Sequence, residues 1–249
     1  VENPSLRSLY ALVLAAGASR RYGSPKQLAL IDGVPMLRRV LDTAVSVLPP
    51  DAEGPRVTVV LGAHAPAIRA AIDLRDVREL DCAEWDSGIA HSLRCGLAAL
   101  ARPGQEVGAE RQRPDPSSPA AALVMLGDTP FVSAADLRRL IIAWQAAPET
   151  PAAAEYDGAV GAPCILPRAI WPELAALTGD RGAGAWLRHR LERGAALARC
   201  ALGRAATDVD RPGDLHVVQR SSSSPGVPGA GGRIGTGSSG GDGTGGSTG

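Results

Sequence analysis

Hydrophobic residues along this chain fall into two recurring patterns: short unbroken apolar runs, and longer stretches spaced at three and four residues. The first kind reads as strands buried on both faces, the second as amphipathic helices. Runs over 9–15, 57–61 and 121–126 are of the first kind, and 77–82, though interrupted by charge, is read as a further strand. Met36, Leu37, Val40, Leu41, Ala44, Val45 and Leu48 make a stripe of the second kind, stopped by Pro49 and Pro50. Further helices are expected over 65–74, 92–100 and 134–146. Later segments are less regular, with extended chain over 158–166, helices over 168–177 and 184–193, a late strand over 195–202 and a short helix over 213–218. Strands alternating with helices build βαβ units, so the expectation is an α/β fold with a mainly parallel sheet between helices on both sides.

Two stretches lack core-forming residues. Pro, Gly and charge dominate 102–119, which reads as an exposed loop inserted before a strand. Segment 220–249 is Gly- and Ser-rich and reads as a disordered C-terminal tail. One domain is therefore expected over 1–219.

Composition removes some function classes. The 249 residues carry 26 basic and 26 acidic side chains, so no net field draws nucleic acid or an anionic membrane. The chain shows no basic-then-apolar N-terminal segment, and no apolar run approaches the roughly 18 residues of a membrane helix. The expectation is a cytoplasmic protein. Cys82, Cys95, Cys164 and Cys200 are far apart, with no C-x-x-C and no nearby histidine at zinc-ligand spacing, and read as buried small apolar residues in a reducing cytoplasm in preference to a metal or disulfide role. One bias stands out: Lys26 is the single lysine among the 26 basic residues. A compact ammonium retained in an arginine-rich chain points to a position that needs its shape.

That lysine closes the segment Leu14-Ala15-Ala16-Gly17-Ala18-Ser19-Arg20-Arg21-Tyr22-Gly23-Ser24-Pro25-Lys26, which leaves the carboxyl end of the first strand. Small residues at 15–18 let backbone N–H groups approach a polyphosphate, and Arg21 and Lys26 supply charge. A tight strand-to-helix turn with solvated basic residues would look similar. The spacing is neither a Walker A loop nor G-x-G-x-x-G. Asp128, in Leu126-Gly127-Asp128-Thr129-Pro130, follows another buried strand, where it can hold magnesium or stabilise a turn. Asp210, two residues before Pro212, can make a helix N-cap. His64, after Leu61-Gly62-Ala63, can reach a ligand from the loop behind the second strand.

The loop resembles the L-A-A-G-x-S-x-R-x-G-x-x-K signature of MobA-like nucleotidyltransferases, through Leu14, Ala15, Ala16, Gly17, Ser19, Arg21, Gly23 and Lys26. Gly127-Asp128-Thr129-Pro130 resembles the family's G-D-x-P, and Asp208-Val209-Asp210-Arg211-Pro212-Gly213-Asp214-Leu215 its D-x-D-T-P-E-D-L ending. Further likeness lies in Asp86-Ser87-Gly88-Ile89-Ala90-His91-Ser92-Leu93, in Gly161-Ala162-Pro163 and in Gly179-Asp180-Arg181-Gly182-Ala183. Together these look most like molybdenum cofactor cytidylyltransferases, whose first loop tends to read A-A-G where guanylyl enzymes read A-G-G.

The resemblance implies a three-layer Rossmann-like nucleotidyltransferase fold. It implies triphosphate binding by Leu14 to Gly17, Ser19, Arg21, Gly23 and Lys26, with Gly62, Ser87, Gly88 and Ser92 near the nucleotide. Catalytic roles fall to Arg21, Lys26 and Asp128, magnesium to Asp128 and Asp210, and the acceptor side to Gly161, Pro163, Asp180 and Gly182. CTP or another nucleoside triphosphate, a molybdopterin-type acceptor and an apo-molybdoenzyme of the xanthine oxidase type would be the partners. Departures are Ala162 for the family histidine, Tyr22 for methionine, and Ile89-Ala90-His91 for M-S-S, which bear mainly on the acceptor. Rival readings are an NAD(P)H-dependent oxidoreductase of the nicotine blue reductase type and a molybdopterin-carrying chaperone.

Overall fold

Strand β1, Leu9–Leu14, shows how the layers arise. Leu9, Ala11 and Val13 pack into one hydrophobic cluster, while Leu12 and Leu14 pack into another. Side chains alternate across a strand, so two clusters on one strand mean that both faces are covered. The structure, a computed structural model, describes Leu6, 8–101 and 119–203.

After β1 come a small hairpin, β2 (Leu30–Ile31) and β3 (Val34–Pro35), then helix α1 (Met36–Val47). The chain continues through β4 (Val57–Leu61), α2 (Ala65–Ala71), β5 (Arg78–Asp81), α3 (Ile89–Ala101), β6 (Ala121–Leu126) and α4 (Ala134–Gln145). The described residues end with β7 (Ala152–Tyr156), β8 (Ala159–Pro167), α5 (Trp171–Ala175), α6 (Ala183–Glu192) and β9 (Ala198–Ala201). The main sheet has seven strands in the order β5-β4-β1-β6-β8-β7-β9. Strands β5, β4, β1 and β6 are parallel, β8 runs antiparallel to both its neighbours, and β9 is parallel to β7.

Helices cover both faces. Leu37, Leu41 and Ile68 of α1 and α2, with Leu137 and Trp144 of α4, fill one side; Leu93 and Leu97 of α3, with Leu174 and Leu187 of α5 and α6, fill the other. The expected fold class is what the structure shows. Among the described residues no helix is long and apolar enough to cross a membrane.

Three elements depart from expectation. The β2–β3 hairpin turns on Asp32 and Gly33, both at positive φ (50° and 79°), and β7–β8 turns the same way on Asp157 and Gly158 (49° and 75°). Asp-Gly suits this turn because glycine carries no Cβ and aspartate tolerates the left-handed region. Strand β7 itself, Ala-Ala-Ala-Glu-Tyr, has little intrinsic strand preference. Its alanines are buried between β8 and β9, so tertiary pairing and not local propensity makes it a strand. Helix α3 starts at Ile89, three residues before the expected start. The expected helix over 213–218, the inserted loop up to residue 118 and the tail lie outside the described residues.

Candidate active site

Strands β1 and β6 lie side by side with Leu14 opposite Leu126. From β1 the chain winds outward through β4 to β5, then returns by α3 to start again at β6 on the other side. The carboxyl ends diverge at such a reversal and leave a crevice. The Gly127 N–H donates to the Leu14 carbonyl at 2.9 Å, tying the two strand ends together. A Cβ at Gly127 would lie 3.0 Å from the Ala15 methyl, tighter than ordinary van der Waals contact, so a side chain there would push on the loop after β1.

The loop after β1 is braced at each bend. Ser19 sits at φ 53°, and its carbonyl accepts from the N–H groups of Tyr22 (2.9 Å) and Gly23 (3.2 Å). Its hydroxyl donates to Gln27 Oε1 (3.1 Å) and accepts from the Lys26 N–H (3.2 Å). Gln27, buried to 3% exposure, donates through Nε2 to the carbonyls of Ala15 (3.1 Å) and Gly17 (3.0 Å). His64 Nε2 bonds the Ala18 carbonyl at 3.0 Å. Carbonyls that would face an incoming anion are thereby turned to side-chain donors, and the space where a Gly17 side chain would project is open.

Across this loop, Lys26 Nζ contacts Asp128 Oδ2 at 2.6 Å, with the two side chains 16% and 23% exposed. The second oxygen, Oδ1, is buried with no hydrogen-bond partner among the described residues. A buried carboxylate oxygen left unmatched costs stability, so such atoms are few in a folded protein and an ion is one way to satisfy them. The cleft in front measures about 450 Å³, a ligand-sized space. Its second wall comes from Trp85, Asp86, Gly88, Ile89, Ser92 and Asp180. Behind that wall the Ser92 side chain hydrogen-bonds Cys82, whose thiol burial pushes up to about 11, with Cys95 adding to the effect.

Of the residues anticipated near the nucleotide, Leu14, Ala15, Ala16, Gly17, Ser19, Arg21, Lys26, Gly88 and Ser92 line this cleft together with Asp128. Gly23, Gly62 and Ser87 do not. Gly23 closes the Ser19 turn at φ 80°. Gly62 passes so close to the Ala16 carbonyl and the Trp85 side chain that a Cβ would sit 2.6 Å from each, and this makes it a packing glycine. Ser87 is exposed in the turn before α3. On the acceptor side only Asp180 reaches the cleft. Gly161 and Pro163 lie within β8, Gly161 against the Tyr156 hydroxyl, and Gly182 packs on Ile89 at the start of α6. Asp208 and Asp210 lie outside the described residues. Gln27 and Trp85 went unnoticed; a glutamine directly after the lysine, ahead of an apolar run, was the available signal for Gln27.

A crevice at a strand-order reversal, walled by a small-residue loop and carrying a lysine–aspartate pair, defines an α/β domain of the nucleotide-transferring type. The chain belongs to the MobA-like NTP transferase domain family, which it matches over residues 11–195. It is 37% identical over 131 residues to the bifunctional protein GlmU of Burkholderia thailandensis; the match takes in 52% of this chain but only 24% of GlmU. Among solved structures, Rv0371c of Mycobacterium tuberculosis is similar at 30% identity and TM-score 0.63, over 86% of this chain and 98% of that one. The same protein has been solved in complex with manganese, at TM-score 0.60 and 29% identity over 86% and 99% of the two chains. Molybdopterin-guanine dinucleotide biosynthesis protein A of Archaeoglobus fulgidus shares the fold, with TM-score 0.58 at 14% identity over 86% and 97%.

Proposed function

We propose that this family member transfers CMP from CTP to the terminal phosphate of a molybdopterin-type acceptor, releasing pyrophosphate, with Mg2+ as the metal. The observation that carries the reading is the Lys26–Asp128 pair at the β1/β6 crevice, with its buried, unmatched Oδ1. Support for cytidine comes from the Ala15-Ala16-Gly17 reading of the loop, and support for the acceptor from the stretches around Gly88 and Asp180.

The residues present fit a hard dication, because a carboxylate oxygen that nothing among the described residues satisfies is free to be an oxygen ligand. Asp128 would hold Mg2+ and Asp210 would be the second ligand. When bound, the ion supplies charge neutralisation for the phosphate oxygens. The manganese complex of Rv0371c supports a divalent ion on this fold.

The rest is alignment by the chain's own groups. The acceptor phosphate is already anionic at neutral pH, so it attacks the α-phosphorus without a general base. The new P–O bond forms as the bond to the β-phosphate bridging oxygen breaks, and that electron pair leaves with pyrophosphate. Backbone N–H groups of the loop, Arg21 and the Lys26 ammonium follow the charge that builds on the leaving group. Gln27 keeps the loop carbonyls turned from that charge. Cytidine and the acceptor would share the wall of Trp85, Ser92 and Asp180. In this reading the product passes to an apo-molybdoenzyme of the xanthine oxidase type in the cytoplasm.

The test is pyrophosphate release from CTP, GTP and UTP, each with Mg2+ and a molybdopterin-type acceptor. CTP should be turned over fastest, and it should raise the melting temperature where NADPH does not. Stabilisation by NADPH alone would favour a redox enzyme. Acceptor binding without turnover of any nucleotide would favour a carrier.

A further inference from the structure

A second cluster of ligand-type side chains lies behind the cleft wall. Cys82 directly follows β5, and His91 and Cys95 sit one turn apart on α3. Their two sulfurs and one ring nitrogen lie within 4.8 Å of one another. All the described cysteines are free, Cys82 is buried, and His91 and Cys95 are half-buried.

We propose that Cys82, His91 and Cys95 form a binding site for a thiophilic cation of the zinc class, distinct from the hard-cation position at Asp128. Tetrahedral zinc holds sulfur at about 2.3 Å and imidazole nitrogen at about 2.0–2.1 Å, which places the two ligand atoms about 3.6 Å apart. Cys95 Sγ and His91 Nε2 are 3.6 Å apart. Two thiols and an imidazole are the wrong donors for magnesium and the right ones for zinc. Water would be the fourth ligand.

The surroundings of His91 set the terms of binding. Glu84 Oε2 lies 3.7 Å from His91 Nδ1, where a carboxylate can take the Nδ1 proton bond and leave Nε2 free to ligate. Arg94 Nη2 lies 2.9 Å from the same Nδ1 and donates to it, which holds the proton on Nε2 instead. Arg94 is anchored by a second bond to the Leu177 carbonyl at 2.7 Å. It therefore competes with the metal, and Glu84 assists it. Both thiols lose their protons to solvent on ligation, so one Zn2+ replaces two H+. An ion there would pin Trp85, Gly88, Ile89 and Ser92 of the cleft wall to the end of β5.

The full chain, reduced and freed of metal with a chelator, is titrated with Co2+ and then Zn2+. One Co2+ per chain should bind with a thiolate-to-cobalt charge-transfer band, and Zn2+ should displace it. Cys95→Ser and His91→Gln, both at half-buried positions, should each weaken binding at least about 100-fold, and Arg94→Gln should tighten it several-fold. Asp128→Asn should leave the band unchanged, which separates this site from the nucleotide reading. Circular dichroism checks that each variant is folded. Absence of the band in the reduced parent chain overturns the proposal, as does its survival in Cys82→Ser/Cys95→Ser or its loss in Asp128→Asn. A Cys82–Cys95 disulfide forming in air in the presence of Zn2+ also overturns it.

Discussion

Asp128 and Asp136 stand eight residues apart after the same strand, and they are used in opposite ways. Asp136 is fully matched: Oδ2 accepts from the Ser133 N–H (3.0 Å) and hydroxyl (2.7 Å), and Oδ1 from Arg139 (2.7 Å). The Asp136 N–H returns a bond to Ser133 Oγ at 3.2 Å, completing the capping box that starts α4. Asp128 has one oxygen on Lys26 and the other buried without a hydrogen-bond partner among the described residues. A carboxylate that the fold satisfies completely serves the fold. One left half-satisfied at a crevice is, on the function proposed above, where a metal ion would bind.

The largest expected effect breaks this contrast at its functional end. Lys26→Ala or Asp128→Ala should lower pyrophosphate release on the order of 10²- to 10³-fold, the scale of one transition-state electrostatic contact. Removing both charges with Lys26→Met/Asp128→Asn strands no buried ion, so thermal melting should move by only about 2 °C while turnover is lost.

Gln27 stands between the two cases, since it is a matched group that shapes an unmatched site. Gln27→Met leaves the Ala15 and Gly17 carbonyls without their donor and should cost about 1–3 kcal/mol in urea unfolding. Because the loop is displaced, turnover should also fall on the order of 10-fold.

At the structural end, Ser133→Ala should cost about 1 kcal/mol. That lowers the melting temperature by about 2–4 °C in a domain of this size, with nucleotide turnover unchanged.

The smallest effect is a pH dependence. Burial raises the pKa of Asp136, but the hydrogen bonds from Ser133 and Arg139 outweigh it and hold the carboxyl below its usual range. The unfolded chain therefore binds the proton more readily. The stabilisation is complete above the ordinary aspartate pKa, about 3.9, and is lost as pH falls through the lower folded value. Asp136→Asn should remove this component, which urea titrations between pH 5 and 2, on the order of one unit apart, would detect as a shallower acid loss.

The two Asp-Gly hairpins show where reading the chain fell short. The dipeptides at 32–33 and 157–158 are local turn signals, present in the residues themselves, and they mark the β2–β3 and β7–β8 turns. Strand β7 carries no such signal in its own composition, because three alanines become strand only between partners supplied from elsewhere. In the cleft, the loop from Ala15 to Lys26 was legible because its small residues and its charges are contiguous. Gly62 misled, since a glycine kept for close packing and one kept for a ligand look alike until the neighbouring Trp85 is in place.

Sequence alone was enough for the strands covered on both faces, the amphipathic helices and the small-residue loop that lines the cleft, because each rests on spacing within a dozen residues. Sheet order was not available in that way, nor were the meeting of Lys26 with Asp128 across 102 residues, the unmatched Oδ1, and the gathering of Cys82 with His91 and Cys95. Those depend on which strands become neighbours. That choice is made by burial across the whole core, and it brings together side chains that no local pattern relates.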